Sequence, residues 1–136
     1  MAGRGQIPNP ALRCYDAVPA CPAIYLIEAG DGIVKVGRAS IARNRLRELH
    51  TYMVRAGFTP GRFHVIPVSA SDLEIYGAEA VGLRAMRKVA KAIPGRAEYF
   101  TGIDFDGAVR LLDSVFDRRV AHAFHVACAS LSTLLN

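Results

Sequence analysis

The chain has 136 residues, of which 51% are hydrophobic and 21% charged, enough for one compact core and too apolar for wholesale disorder. No apolar run approaches the roughly 20 residues that span a bilayer. Pro8, Pro10, Pro19 and Pro22 interrupt anything like a signal-peptide core, so the expectation is a cytoplasmic protein with no membrane partner. The net charge of +5 is concentrated in two blocks: seven basic residues against one acid from Lys35 to Arg62, and five basic residues with no acid from Arg84 to Arg96. Such blocks suit a polyanion.

Residues 1–22 are Pro-rich and aperiodic, and read as an extended or disordered arm. A strand is expected over 23–28, Ala-Ile-Tyr-Leu-Ile-Glu, because it is rich in β-formers. Gly30-Asp31-Gly32 supplies a tight hairpin turn, and a second strand follows over 33–37. Ser40 is the expected N-cap of a helix running to about residue 56, ended by Gly57 and Pro60. A third strand, about 62–69, contains Pro67, which implies an edge position or a bulge. Ser71 and Glu74 form a capping box for a helix to about residue 92, stopped by Pro94-Gly95. Glu98-Tyr99-Phe100 reads as a short extended piece. A last helix begins near Asp104 and extends toward Leu135, since neither Gly nor Pro follows Gly107. The expected fold is α+β, a small three-stranded, mostly antiparallel sheet flanked by helices. It divides into an arm over 1–22, a domain over 23–116 and a C-terminal helical extension over 117–136.

Cys14, Cys21 and Cys128 are odd in number and include no Cys-x-x-Cys pair, which argues against a disulfide framework or zinc. His122, His125 and Cys128 recur at three-residue steps, one ligand short of a structural zinc set.

Two charged residues fall on apolar helix faces. At about 100° per residue, Ile41, Ala42, Leu46, Leu49, Tyr52, Met53 and Ala56 form one arc; Arg45 falls inside it and His50 at its edge. On the next helix Tyr76, Leu83, Met86, Ala90 and Ile93 form a stripe, with Glu79 near its centre. A buried carboxylate is costly unless paired or metal-bound. An internal ion pair, for instance with Arg45, and a metal ligand in a cleft both satisfy Glu79, and the pattern leaves both open.

These residues resemble the GIY-YIG endonuclease superfamily. Its first motif is similar to Ala23-Ile24-Tyr25, its second to Lys35-Val36-Gly37, and Arg45, eight residues past Gly37, stands at the spacing of the family's helix-borne catalytic arginine. Glu79 matches the metal-binding glutamate, and Glu98-Tyr99-Phe100 resembles the Glu-Trp-Phe close of a compact branch associated with phages. The likeness covers about residues 23–116. Ala23 replaces a glycine, Lys35 replaces a tyrosine, and Leu49 stands where a histidine is often found, with His50 one step late.

The resemblance implies a metal-dependent endonuclease acting on nucleic acid, with double-stranded DNA the first expectation. Glu79 would hold one Mg²⁺ or Mn²⁺, Arg45 would clamp phosphate oxygens, and Tyr25 would orient or deprotonate water. Lys35 would lower the pKa of Tyr25 or lose its own proton, so that activity rises between roughly pH 7 and 9. Otherwise it is a strand lysine paired with Glu28. His50 joins Tyr25, Lys35, Arg45 and Glu79 as a catalytic candidate, and Arg38, Arg43, Arg47, Arg84 and Lys88 are the expected nucleic-acid contacts. Tyr25 and Lys35 share a sheet face if a three-residue loop over 30–32 pairs Tyr25 with Gly37 and Ile27 with Lys35; a two-residue Asp31-Gly32 turn would separate them. One rival is a nucleic-acid-binding module without catalysis. Another is self-association, a homodimer through a C-terminal helix striped by Val115, Phe116, Val120, Phe124, Ala127, Leu131 and Leu134.

Overall fold

The computed structural model describes residues 10–68, 72–116 and 124–126. Its elements begin with a short 3₁₀ helix, Pro10–Tyr15, followed by β1 (Ala23–Gly30), β2 (Ile33–Ala39) and α1 (Ala42–Arg55). Next come β3 (Phe63–Pro67), α2 (Asp72–Val89), β4 (Lys91–Ile93), β5 (Arg96–Thr101), α3 (Phe105–Val115) and β6 (Phe124–Val126). The α+β class holds, but the sheet is larger than the expected three strands: six run in the order β4-β5-β2-β1-β3-β6, every neighbouring pair antiparallel.

The extra strands have identifiable causes. Pro94-Gly95 does not stop a helix; α2 ends at Val89, and Gly95, at φ 78°, turns the β4–β5 hairpin. The C-terminal helical extension is overturned at residues 124–126, which pair with β3 as a strand. The last helix closes earlier than expected, because Phe116 leaves it in an extended conformation. Val120, Ala127, Leu131 and Leu134 of the dimer stripe lie outside the described residues, as do Ser71, His122 and Cys128, whereas Phe124 pairs with Val65 in β6. Pro67 lies past the stretch of β3 that β6 covers, so its missing N–H costs no ladder bond there.

The hairpin register is the expected one, Tyr25 opposite Gly37 and Ile27 opposite Lys35, but not for the expected reason. Gly30 pairs with Ile33, so Asp31-Gly32 is the turn, and a register shift between Glu28 and Gly30 inserts Ala29 as a bulge. One bulged residue restores the parity that a two-residue turn alone would invert.

β1 is the sheet's centre and is buried on both faces. Ala23, Tyr25, Ile27, Phe63, Val65 and Tyr99 face α1, packing on Leu46, Leu49 and Met53. Ile24, Leu26, Val34, Val36, Ile66 and Phe100 face α2 and α3, packing on Ile75, Leu83, Met86 and Leu112. Residues 10–22 are not an extended arm. Tyr15 is fully buried, its ring centroid 4.9 Å from that of Phe63, and its hydroxyl meets His50 Nδ1 at 2.7 Å. The segment also does work assigned to Ser40: α1 begins after Ile41 with no side-chain cap, and the Ala42 N–H donates instead to the Cys21 carbonyl at 2.9 Å. Cys14, buried in the same segment, is disulfide-bonded, against the expectation from the odd count, whereas Cys21 is a free thiol. No helix among the described residues is long and apolar enough to cross a membrane.

Candidate functional site

β2 pairs with β5 only at Val34–Phe100 and Lys35–Tyr99, so beyond Lys35 its outer edge lies open. There the end of β2 meets the start of α1 and the first turns of α2 in a cleft of about 510 Å³, lined by Arg38, Asn44, Arg45, Glu48, Ile75 and Tyr76. A second hollow, also about 510 Å³, lies on the α1 side of the sheet, lined by Lys35, Arg45, Glu48, Leu49, Tyr52, Glu98 and Tyr99. Arg45 and Glu48 border both.

Arg45 does not sit in the core, although the helix pattern places it among apolar residues. It is exposed, and no hydrogen bond or ion pair among the described residues holds it. Tyr52 and Tyr76, both assigned to apolar stripes, are likewise half-exposed on the cleft rims. Arg45 is therefore the free cation between the two hollows.

Glu79 is buried as the stripe requires, but its partner is Arg38 rather than Arg45: Arg38 Nη1 donates to Glu79 Oε1 at 3.1 Å. The Arg38 guanidinium also lies 3.7 Å from the ring centroid of Tyr76, a stacked cation that stays near water. Strand parity points Arg38 toward α2, the side opposite Lys35.

On the α1 side Tyr25 is 1% exposed and its ring crosses bare backbone: a Cβ at Gly37 would stand 2.3 Å from the Tyr25 hydroxyl oxygen. That close approach is the physical need for glycine at this position. Lys35 is buried, donates to Glu98 Oε1 at 2.7 Å, and has its Nζ 5.3 Å from the Tyr25 ring centroid and 5.4 Å from that of Tyr99. Burial pulls its pKa down, but Tyr25 and the Glu98 carboxylate outweigh burial and raise it. Lys35 therefore stays an ammonium at neutral pH, so the expectation that it loses its own proton is overturned. Its pairing with Glu28 is overturned as well, since Glu28 binds the backbone and guanidinium of Arg62 instead.

His50 is removed from the catalytic candidates by position. It is buried against Tyr15, borders neither hollow, and burial lowers its pKa. Among the expected nucleic-acid contacts, Arg43 Nε donates to the Val18 carbonyl at 2.7 Å and Arg47 pairs with Asp16, so both pin the N-terminal segment. Arg84 and Lys88 are exposed on α2. The structure thus groups Arg38, Tyr76 and Arg45 at one cleft, with Glu79 buried behind Arg38 and outside the lining, and Tyr25, Lys35, Glu98 and Tyr99 across the sheet. Sequence reasoning missed Glu98 and Tyr99 as neighbours of Lys35. No local signal marked them: Tyr99 stands opposite Lys35 only through the register of β5 on β2, strands far apart in the chain.

No family model, no curated protein and no solved structure matches the chain. The likeness to GIY-YIG endonucleases rests on its motif residues and their spacing.

Proposed function

We propose that this chain is a metal-dependent endonuclease that grips a nucleic-acid phosphate at Arg45 and hydrolyses the phosphodiester in the cleft at the end of β2. The observation that carries the reading is the free guanidinium of Arg45 in one cleft with Arg38, whose own partner is the buried carboxylate of Glu79. A bidentate arginine suits the non-bridging oxygens of a phosphodiester. Arg38 can trade its Glu79 bond for a phosphate oxygen, because its side chain is 31% exposed and needs little desolvation to do so.

Glu79 fits a hard divalent ion in one limited sense. Arg38 occupies Oε1 and leaves Oε2, and Mg²⁺ is commonly held by one or two carboxylates together with waters and substrate phosphates. No group of three or more His, Cys, Asp or Glu assembles among the described residues, so Glu79 is the protein ligand this reading offers. The ion, when bound, would supply Lewis-acid stabilisation of the charge that builds on the phosphorus oxygens. The protein's own part is positional: Arg45 clamps the phosphate, while Tyr25 and Lys35, the latter fixed by Glu98, stay buried across the sheet from Arg38 and Glu79 and support the strand that carries the cleft.

A second reading, nucleic-acid binding without cleavage, is favoured by the two internal ion pairs, which already neutralise Lys35 and Glu79. Cleavage of plasmid and single-stranded substrates with Mg²⁺ or Mn²⁺ separates the two. The endonuclease reading expects cutting that Glu79→Gln lowers at least about a hundredfold while affinity persists. Undiminished cutting by that variant removes Glu79 from the site, and a wild-type protein that binds but never cuts is the binding module.

A further inference from the structure

The hollow on the α1 side is chemically unlike the cleft at Arg38. Its basic residues, Lys35 and Arg45, are balanced by two acids, Glu48 and Glu98, so it has no net pull on a phosphate. It carries two tyrosines instead. Tyr52 is half-exposed, and its hydroxyl accepts from Arg96 at 3.0 Å, which fixes the ring at the rim. Tyr99 is 95% buried by residue area, yet its hydroxyl has no hydrogen-bond partner among the described residues. A buried polar group left unpaired costs about 1–3 kcal/mol, so the Tyr99 hydroxyl calls for a partner, whether water, ion or ligand.

We infer that this hollow takes one unstacked nucleobase, with Tyr99 donating its hydroxyl to the base edge and Tyr52 offering a stacking face, while the adjoining phosphate lies on Arg45. A base is flat and mostly neutral, and its edge carries both donors and acceptors, which matches a lining of balanced charges and tyrosines better than a phosphate does. The volume of about 510 Å³ is ample for a base and its sugar. Arg45 borders both hollows, so one nucleotide can span them with its phosphate toward Arg38 and its base toward Tyr99. Burial raises the pKa of Tyr99, which keeps the hydroxyl protonated and able to donate. The inference rests on the nucleic-acid reading above and adds where the base goes.

Tyr99→Phe removes one oxygen and tests the assignment by calorimetric titration of the full chain with nucleoside monophosphates and, separately, inorganic phosphate. The expected result is about tenfold weaker nucleotide binding, unchanged phosphate binding, and a melting temperature equal to or above wild type. Tyr52→Ala should weaken the nucleotide by a similar factor. Equal losses for nucleotide and phosphate would make the hydroxyl a phosphate donor, and no loss would leave it without a ligand; either overturns the inference. A lower melting temperature for Tyr99→Phe also overturns it, since the hydroxyl would then serve the fold. A wild-type protein that binds phosphate but prefers no nucleotide defeats the base pocket alone, whereas one that binds neither defeats the nucleic-acid reading as well.

Discussion

β2 carries a charged pair on each of its faces, and the two are built differently. On the α1 face Lys35 lies under the sheet's own side chains, 4% exposed, with Glu98 at 2.7 Å and two aromatic rings beside it. On the α2 face the cation is the outer partner: Arg38 is 31% exposed and the carboxylate of Glu79 is the buried one, 3.1 Å away. A buried cation cannot leave its anion without losing its ionic partner, so the first pair acts as structure. A half-exposed arginine can exchange partners with a passing phosphate, so the second pair suits binding. Three residues along one strand therefore separate a sealed charge from an available one.

The sharpest break of this comparison is at Gly37. Alanine there would place its Cβ 2.3 Å from the hydroxyl and 2.5 Å from the adjoining ring carbon of Tyr25, a buried side chain with no room to retreat. Gly37→Ala is expected to cost about 3 kcal/mol or prevent folding. On the opposite face Gly61→Ala meets the Glu28 carboxylate at 2.7 Å and its Cβ at 3.2 Å; the carboxylate can swing at the expense of its Arg62 bonds, so the expected loss is smaller, about 1–2 kcal/mol. Urea unfolding of both variants measures this; equal losses would mean that the α1 face is no tighter than the other.

The pairs themselves give the next largest contrast. Glu98→Gln leaves the Lys35 charge buried and uncompensated, for an expected loss of about 2–3 kcal/mol. Glu79→Gln leaves Arg38 free to turn to water and should cost under about 1 kcal/mol. Because the Lys35 pKa is raised in the fold, its contribution is present below the ordinary lysine value and is lost only in strong alkali as pH climbs through the folded value. Lys35 itself therefore does not titrate between pH 7 and 9 and imposes no change on stability there. If Glu98→Gln and Glu79→Gln melt at the same temperature, the distinction between sealed and exchangeable pairs is lost.

How much of this was legible in the sequence depended on separation along the chain. The β1–β2 hairpin was readable because its strand composition, glycine turn and pairing all lie within seventeen residues, Ala23 to Ala39. The bulge at Ala29 was not, since it is a choice of backbone that either side-chain pattern allows. β4 was hidden because Pro-Gly marks a helix stop and a hairpin turn alike. The anomalous placements of Arg45 and Glu79 were visible by helical period, but their settings were not: Arg38 meets Glu79 across 41 positions, and Lys35 meets Glu98 across 63. No local pattern marks such pairs. The docking of residues 10–22 was invisible for a related reason, since Cys14, Tyr15 and Val18 bury without any period and Arg43 and Arg47 reach the segment from a distant helix.

That anchor offers the smallest prediction and places a second buried polar pair on the α1 face. Tyr15 donates to His50 Nδ1 only while that nitrogen carries no proton. Burial lowers the His50 pKa and raises that of Tyr15 far above its ordinary value, so both are neutral in the fold at neutral pH. The sign follows from linkage. The unfolded chain, with an ordinary histidine near pH 6.5, takes up a proton before the folded one does, so this stability is present above that pH and is lost as pH falls through the lower folded value. The melting temperature should hold steady from pH 9 to 7 and decline below about 6.5, with a loss on the order of 1 kcal/mol, the net worth of one hydrogen bond. The measurement is a difference between wild type and His50→Gln, so that contributions common to both proteins cancel. Glutamine can still accept from Tyr15 through its carbonyl but does not titrate. A shallower decline in His50→Gln is the expected result; identical profiles would show that the Tyr15–His50 contact contributes nothing to the pH dependence and that the N-terminal segment is held by other means.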